Sequence, residues 1–393
     1  MDSFILSASE KEFIQQNISK NSAELLLKYS HQERFKFLVQ QIVSRQKIKH
    51  KLPNFYSNFD LIFTKTLNLE QSSSEITAEY KSQIISGNTM VDLTAGFGID
   101  VFAFSKKVNS IIHVEPEKYL SEIVTFNYKI LGIDNVLFIN KTAEDFLEHN
   151  EQQFDFVYLD PSRRKADRKT YLLEDYSPNI VELQHKIFEK TNQILLKTSP
   201  LLDIKLCLSK LKGVKEVHVV SVKNDCKEIL YLIEHGFVEE PKICCINLHE
   251  KRIQKFEFKF SEEQDSQIIP NDLSEYIYEP NHSVLNAGAF KILAKRFGLS
   301  KLAVNTHLYS SEVTNENFPG NVYKVLKTYS QKDFIKNKED FNQLNVKIRN
   351  SRMTPERLSK ILKINNGVNL FAFFYRDKND IEKVCLAEIL RME

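Results

Sequence analysis

The chain has 393 residues, 42% of them hydrophobic and 27% charged, and a formal net charge of +2. At roughly 100–200 residues per domain that length makes about two to four domains, within the composition range of globular proteins. So small a net charge excludes nucleic-acid binding by bulk charge and leaves only local clusters, and the lack of ~18 consecutive apolar residues excludes a helical membrane span.

Residues 1–70 read as a helical domain. Phe4-Ile5-Leu6 is too short an apolar run for a secretory leader. Ser9 ahead of Glu10, Glu12 and Phe13 suits a capped helix start. Phe35, Leu38, Val39 and Ile42 then fall at i, i+3, i+4 and i+7, one face of a longer helix that stops by Pro53. Arg34, Lys36, Arg45, Lys47, Lys49 and Lys51 lie around and beyond that face. Such a cationic surface is either simply solvated or turned toward nucleic acid. Glu70-Gln71-Ser72-Ser73-Ser74-Glu75 next opens a helix over 76–85, and capping alone explains a serine followed by glutamate.

Residues 71–240 alternate strand and helix, which implies βαβ units and a mostly parallel sheet. Strands are expected over 89–92, 110–115, 135–140, 154–160 and 193–199; a helix over 201–211 leads to two more, 216–222 and 228–233. Lys223-Asn224-Asp225-Cys226-Lys227 leaves no room for a helix, so the last pair forms an antiparallel hairpin. The first strand runs into Asp92-Leu93-Thr94-Ala95-Gly96-Phe97-Gly98-Ile99-Asp100, whose glycines let the backbone pass close to a ligand. A dinucleotide fingerprint wants a third glycine, so that the helix N-terminus meets a pyrophosphate. Here Ile99, Asp100 and Val101 follow Gly98, and Asp100 would repel a pyrophosphate while suiting a cationic ligand. Asp92, Glu115 and Asp160 close three strands and line the sheet edge where open α/β sheets bind ligands.

Asp160-Pro161-Ser162-Arg163-Arg164 follows the fourth strand, and Arg163, Arg164, Lys165, Arg168 and Lys169, offset only by Asp167, gather positive charge there. Arginine recognises phosphate bidentately, and phosphate contacts supply most sequence-independent nucleic-acid affinity, so the run favours a polyanionic substrate over an uncharged small molecule. Tyr171, Asp175 and Tyr176 stand just beyond, either to stack on a base or as core and capping residues of the next helix. Residues 241–393 change character to one or two small α+β units. Strands over 242–248 and 255–260 precede Tyr278-Glu279-Pro280-Asn281 and a helix over 287–297 stopped by Gly298. A strand over 345–350, a helix opened by Thr354-Pro355 and reaching 363, a turn at Asn366-Gly367 and a hairpin of 369–375 with 381–390 complete the chain. The five cysteines, Cys207, Cys226, Cys244, Cys245 and Cys385, form no C-x-x-C pair and read as reduced thiols of a cytoplasmic protein. Cys226 lies in the expected hairpin turn and is no nucleophile, and the scattered histidines show no pair at metal-ligand spacing, so no metal is expected.

The glycine turn, the strand-terminal acids and the five-strands-plus-hairpin order resemble the class I S-adenosylmethionine-dependent methyltransferases, a Rossmann-like α/β fold. The pieces named above, from Glu70 through the C-terminal block 345–373, are similar to a bacterial group of these enzymes. That group carries a helical N-terminal extension and a C-terminal α+β part, ferredoxin-like over 241–330 and THUMP-like over 331–393. The resemblance implies S-adenosylmethionine as cofactor, with Asp92, Thr94, Ala95, Gly96, Phe97 and Gly98 at its methionine moiety and Glu115 on its ribose. Glu144 or Asp145 would reach the adenine, and Gln71 and Ser74 would lie over the methionine end, as in RNA guanine-N2 methyltransferases and trimethylguanosine synthases. Asp160, Pro161, Ser162 and Arg163 would flank the transferred methyl group, and Arg163, Arg164, Lys165 and Tyr171 would bind substrate. Amine methyltransferases usually have Asp/Asn-Pro-Pro-aromatic here; this chain departs from that at Ser162 and Arg163 but keeps Asp160 and backbone carbonyls. THUMP domains bind RNA in other enzymes, so the resemblance implies an RNA substrate. Methylation of a protein or small molecule, and an inactive cofactor-fold module that only binds RNA, are the alternatives.

Overall fold

The computed structural model describes residues 4–29, 31–64, 66–163, 172–250, 252–338, 341, 343–363, 365 and 367–391. The chain divides into two compact units, Met1–Lys215 with Leu230–Glu239, and Glu216–Ile229 with Glu240–Glu393.

In the first unit, strands β1 (Thr89–Asp92), β2 (Ser110–Val114), β3 (Val136–Ile139) and β4 (Phe156–Leu159) pair in parallel in the order β3-β2-β1-β4. The two-residue strands β5 (Ser162–Arg163) and β6 (Tyr176–Ser177) pair with each other, antiparallel. Next to β4 lies β7 (Gln193–Thr198), again parallel. These strands read as near-continuous apolar runs because helices cover both faces of a parallel sheet; Val91, Ile111, Val157 and Leu196 are all fully buried. The chain order reverses between β1 and β4, and the carboxyl ends there open the crevice where such sheets bind ligands.

The N-terminal helices pack within this unit. Asn127 of the helix Lys118–Ile130 accepts from the Ile62 amide and donates to its carbonyl, both at 2.8 Å. The first helix, Ala8–Asn17, is capped by Ser7 rather than Ser9: its hydroxyl takes the Glu10 amide while Glu10 reaches back to the Ser7 amide. The cationic face is smaller than the sequence suggests. Arg45 is fully buried and donates to the carbonyls of Tyr56, Asn58 and Leu61. Arg34 pairs with Glu10, Lys36 with Glu33 and Lys47 with Glu70.

Strands β8 (Val214–Val222) and β9 (Asp225–Glu234) form the expected hairpin. Its turn is only Lys223-Asn224, both at positive φ (48° and 63°), the type I′ geometry of a two-residue loop. Cys226 therefore belongs to β9 and not to the turn. The later half of β9, from Leu230, sits in the first unit beside β7.

In the second unit, β10 (Lys242–Leu248) runs parallel to β8 and pairs antiparallel with β11 (Ile253–Phe258). A separate seven-stranded sheet follows, in the order β13-β14-β12-β15-β18-β17-β16. It comprises β12 (Tyr276–Pro280), β13 (Ser300–Ala303), β14 (Thr306–Ser311), β15 (Gly320–Ser330), β16 (Asn345–Arg349), β17 (Leu370–Arg376) and β18 (Glu382–Arg391). The register of β15 with β18 places Tyr329 opposite Val384, so residues on both sides of position 330 share one hydrogen-bonded sheet. Phe371, Phe373 and Tyr375 enter one hydrophobic cluster and Ala372 and Phe374 another. That is why β17 is apolar or aromatic from Leu370 through Tyr375 rather than at alternate positions. The helix expected over 287–297 is two, His282–Ala287 and Lys291–Phe297, because Gly288 takes a left-handed φ of 74° and ends the first. Asn366 of the expected turn lies outside the described residues.

Candidate active site

The carboxyl end of β1 is held by a short chain of hydrogen bonds. Asp92 accepts from the Thr94 amide at 2.9 Å and from its hydroxyl at 3.3 Å, and the Asp160 amide donates to Thr94 Oγ1 at 2.6 Å. The acids ending β1 and following β4 are thereby tied through one threonine. The Leu93 amide donates to the Tyr158 carbonyl and the Ala95 amide to the Val114 carbonyl, which fixes the turn between its neighbouring strands. Gly96 and Gly98 both take positive φ, 54° and 77°. A Cβ on Gly98 would stand 3.0 Å from Tyr128 Oη and from Val124 Cγ1, while one on Gly96 would meet nothing closer than 3.8 Å. Gly98 thus serves helix packing, and Gly96 leaves backbone open for a ligand.

Glu115 stands just past β2. One of its oxygens accepts the Gly96 amide at 3.1 Å and the other the Glu117 amide at 2.8 Å. Both oxygens keep lone pairs for further donors, and burial pushes the carboxyl above its ordinary range. Burial also pushes Asp92 well up, with the nearby Asp100 and Asp160 carboxylates adding to the effect against the Thr94 amide. A cation delivered beside Asp92 therefore meets a group that gains most from its arrival.

Asp100 has a different place from the one its spacing suggests. It is buried and forms an ion pair with the fully buried Lys81 at 3.1 Å, while Ser73 Oγ and Tyr158 Oη each donate to its Oδ2 at 2.8 Å. Burial alone would raise this carboxyl, yet Lys81 and Lys197 hold it below its usual range. Asp100 ties the helices Glu75–Ile84 and Ile99–Ser105 to β4, and its charge is already compensated.

Asp160 is partly buried, and its Oδ2 accepts from Lys197 of β7. Pro161 is buried, Ser162 is exposed, and Arg163 stands opposite Tyr176 in the β5–β6 pair. Ser74 caps the helix Glu75–Ile84 by accepting the Thr77 amide, and Gln71 is exposed. Glu144 and Asp145 are exposed at the start of the helix Ala143–His149, where Thr142 caps the Asp145 amide. Arg164, Lys165, Arg168, Lys169 and Tyr171 lie outside the described residues. Sequence reasoning missed Ser73, Lys81, Tyr158 and Lys197. The only available signal was period-two placement, which puts Tyr158 two residues before Asp160 on the same side of β4.

The family model described as conserved hypothetical protein 95 matches residues 73–217, and a ferredoxin-like domain model matches residues 276–319. No curated protein matches the chain. A candidate methyltransferase from Porphyromonas gingivalis W83 is similar over 98% of both chains, with 27% identity and a TM-score of 0.86. An rRNA methylase from Streptococcus thermophilus is similar over 40% of this chain and 93% of its own, at 12% identity and a TM-score of 0.31. SMU.1697c from Streptococcus mutans, a candidate methyltransferase in complex with S-adenosylhomocysteine, is similar over 41% of this chain and 96% of its own, at 14% identity and a TM-score of 0.31. The expected α/β architecture with a ferredoxin-like C-terminal part is the one observed. Among the described residues no helix is long and apolar enough to cross a membrane.

Proposed function

We propose that this methyltransferase moves the methyl group of S-adenosylmethionine to a base of RNA. The observation that carries the reading is the tie between the glycine turn and the strand-terminal acid: Thr94 joins Asp92 to Asp160, so a cofactor seated on the turn has Asp160 beside it. The cradle fits that cofactor. Gly96 leaves room above the backbone, Glu115 offers carboxylate oxygens to vicinal hydroxyls, and Asp92 offers a buried carboxyl to a cation.

When bound, S-adenosylmethionine supplies an electrophilic methyl group together with its own leaving group. The protein then has to position and to shape charge. Glu115 accepts the ribose hydroxyls, the turn from Thr94 to Gly98 faces the methionine moiety with Gln71 and Ser74 above it, and Glu144 or Asp145 meets the adenine. Lys197 occupies Asp160 Oδ2, which leaves Oδ1 to accept a hydrogen from an exocyclic amine and to orient its lone pair. Pro161, Ser162 and Arg163 line the approach. Arg163, Arg164 and Lys165 hold phosphates, and Tyr171 stacks on the base. Residues 71–240 act as the catalytic domain in this reading, with the ferredoxin-like 241–330 and THUMP-like 331–393 regions handling the substrate and 1–70 forming a helical N-terminal domain.

The test incubates purified full-length protein with methyl-labelled S-adenosylmethionine and an extract of cells lacking the protein, then divides the product between RNase and protease. Label removed by RNase is the expected result. Label resistant to RNase and removed by protease moves the substrate to protein, and no label despite cofactor binding overturns the catalytic reading.

A further inference from the structure

Away from the cradle, one face of β8, β10 and β11 in the second unit gathers nitrogen, sulfur and oxygen donors. The parallel register sets Lys242 opposite Glu216 and Cys244 opposite His218, and the antiparallel register sets Glu257 opposite Cys244. Side chains two apart on a strand share a face, so Glu216, His218, Lys242, Cys244 and Glu257 all emerge together. His218 Nε2 is 3.0 Å from Glu216 Oε2, and the Cys244 thiol donates to Glu257 Oε1 at 3.3 Å. One donor atom each from Glu216, His218 and Cys244 lie within 4.8 Å of one another. His218 and Cys244 are buried while the Glu216 side chain is 22% exposed and that of Glu257 35%, so the deep donors are approached past carboxylates.

We infer that Glu216, His218, Cys244 and Glu257 bind a zinc-type divalent cation that clips β8, β10 and β11 together. Mixed thiolate, imidazole and carboxylate donors are what borderline-soft zinc takes, and four protein ligands with no open position mark a structural site. Bond lengths of about 2.0–2.3 Å to the ion place tetrahedral donors about 3.3–3.8 Å apart. The donors of Glu216, His218 and Cys244, all within 4.8 Å of one another, close to that with side-chain rotations of about an ångström, and Glu257 Oε1 stands 3.3 Å from the Cys244 sulfur. Lys255 Nζ holds Glu257 Oε1 at 3.1 Å, and Lys242 is the competitor for both carboxylates, since its Nζ lies 2.9 Å from Glu216 Oε1 and 3.2 Å from Glu257 Oε1. Its side chain is 40% exposed and can swing into solvent. On binding, the Cys244 S–H bond breaks, the sulfur–metal bond forms and one proton leaves to solvent. One thiolate, two carboxylates and a neutral imidazole around a divalent ion leave the loaded site with a net charge of about −1.

Titration of metal-stripped full-length protein with Co2+ reads the site, because ligation by Cys244 produces a thiolate-to-cobalt charge-transfer band. The band is expected to saturate at one equivalent, to vanish when Zn2+ is added, and to be absent in Cys244→Ser; Cys207, Cys226, Cys245 and Cys385 remain as internal controls. Two variants that keep the thiol cover the case in which Cys244→Ser fails to fold. His218→Gln should weaken binding about tenfold or more, and Lys242→Met should tighten it by removing the competing cation. A merely ionic cluster predicts the opposite for Lys242→Met: a lower melting temperature and no gain in metal affinity. Absence of the band at saturating Co2+, its persistence in Cys244→Ser, or unchanged affinity in both other variants overturns the site.

Discussion

Asp92 is a buried carboxyl whose ionisation is opposed by its surroundings until a cation arrives. Burial raises its pKa, and Asp100 and Asp160 reinforce the shift. An acid raised in the folded state keeps its proton to higher pH, so a cationic ligand that favours the ionised form displaces that proton on binding. S-adenosylmethionine affinity should therefore increase with pH until Asp92 is ionised without the ligand, read by calorimetry across a pH series. Asp92→Asn should lose that dependence and about tenfold in affinity, roughly 1.4 kcal/mol, while the ligand-free protein melts no lower than the parent. His113 of β2 gives a second check. It is fully buried, neither ring nitrogen makes a well-formed hydrogen bond among the described residues, and burial, against the backbone of Gly96 and of His113 itself, lowers its pKa from 6.5 to about 4. Between those values the unfolded chain binds the proton and the folded one does not, so stability falls as pH drops from 6.5 toward 4. Such a shift is worth roughly 3 kcal/mol when fully developed. His113→Phe should flatten that part of the stability-against-pH curve and hold or raise the melting temperature at neutral pH, since two unsatisfied polar atoms are removed. At this scale the placement of the acids was legible, since Asp92 ends β1 and Glu115 and Asp160 follow β2 and β4 directly. The sequence did not disclose Lys81 or Lys197, which meet Asp100 and Asp160 only after separate elements pack.

Among the elements, the turn between β1 and the helix Ile99–Ser105 is the one whose geometry a single atom tests. Gly98 holds a φ of 77°, and its carbonyl accepts the Tyr128 hydroxyl at 2.5 Å. Gly98→Ala adds a methyl group 3.0 Å from that same hydroxyl and from Val124. Left-handed backbone costs a non-glycine residue about 1–2 kcal/mol before any clash. The variant should unfold at correspondingly lower denaturant and bind S-adenosylmethionine more weakly; unchanged values for both would mean that the turn relaxes freely. The parallel strands and the β8–β9 hairpin were legible because buried apolar runs punctuated by acids and glycine carry a strong pattern. Strands β12 to β15 were not. Exposed Val304 and Val313 and the mixed face of β15 blur the alternation, and Pro280, which has no amide hydrogen for a ladder, ends β12. The cap at Ser7 was legible and misassigned: Ser-x-x-Glu points to Ser7 with Glu10, whereas Ser9 merely sits nearer the acids. The helix expected through Gly288 failed for lack of a rule that separates an interior glycine from a terminating one.

For the whole molecule, a net charge of +2 means that the RNA affinity proposed above has to be local. The N-terminal helices contribute little to it, since Arg45 is buried on carbonyls and Arg34, Lys36 and Lys47 are paired with glutamates. What remains in the proposal is the basic run from Arg163 to Lys169. Each phosphate contact on single-stranded RNA contributes about 0.7 to the slope of log affinity against log salt. If Arg163 and Arg164 each neutralise one phosphate, Arg163→Glu with Arg164→Glu should flatten that slope by about 1.4. Affinity should fall most at low salt, where screening is weakest, and S-adenosylmethionine binding should be unchanged because the cradle is built from other residues. Fluorescence anisotropy across a salt series measures the slope. Lys36→Glu, which reverses a charge already paired with Glu33, is the control and should leave the slope nearly intact. Equal slopes in the double variant and the parent would remove the basic run from RNA binding. A flattened slope in the Lys36 control would instead return the N-terminal helices to the interface, against the pairing that surrounds them.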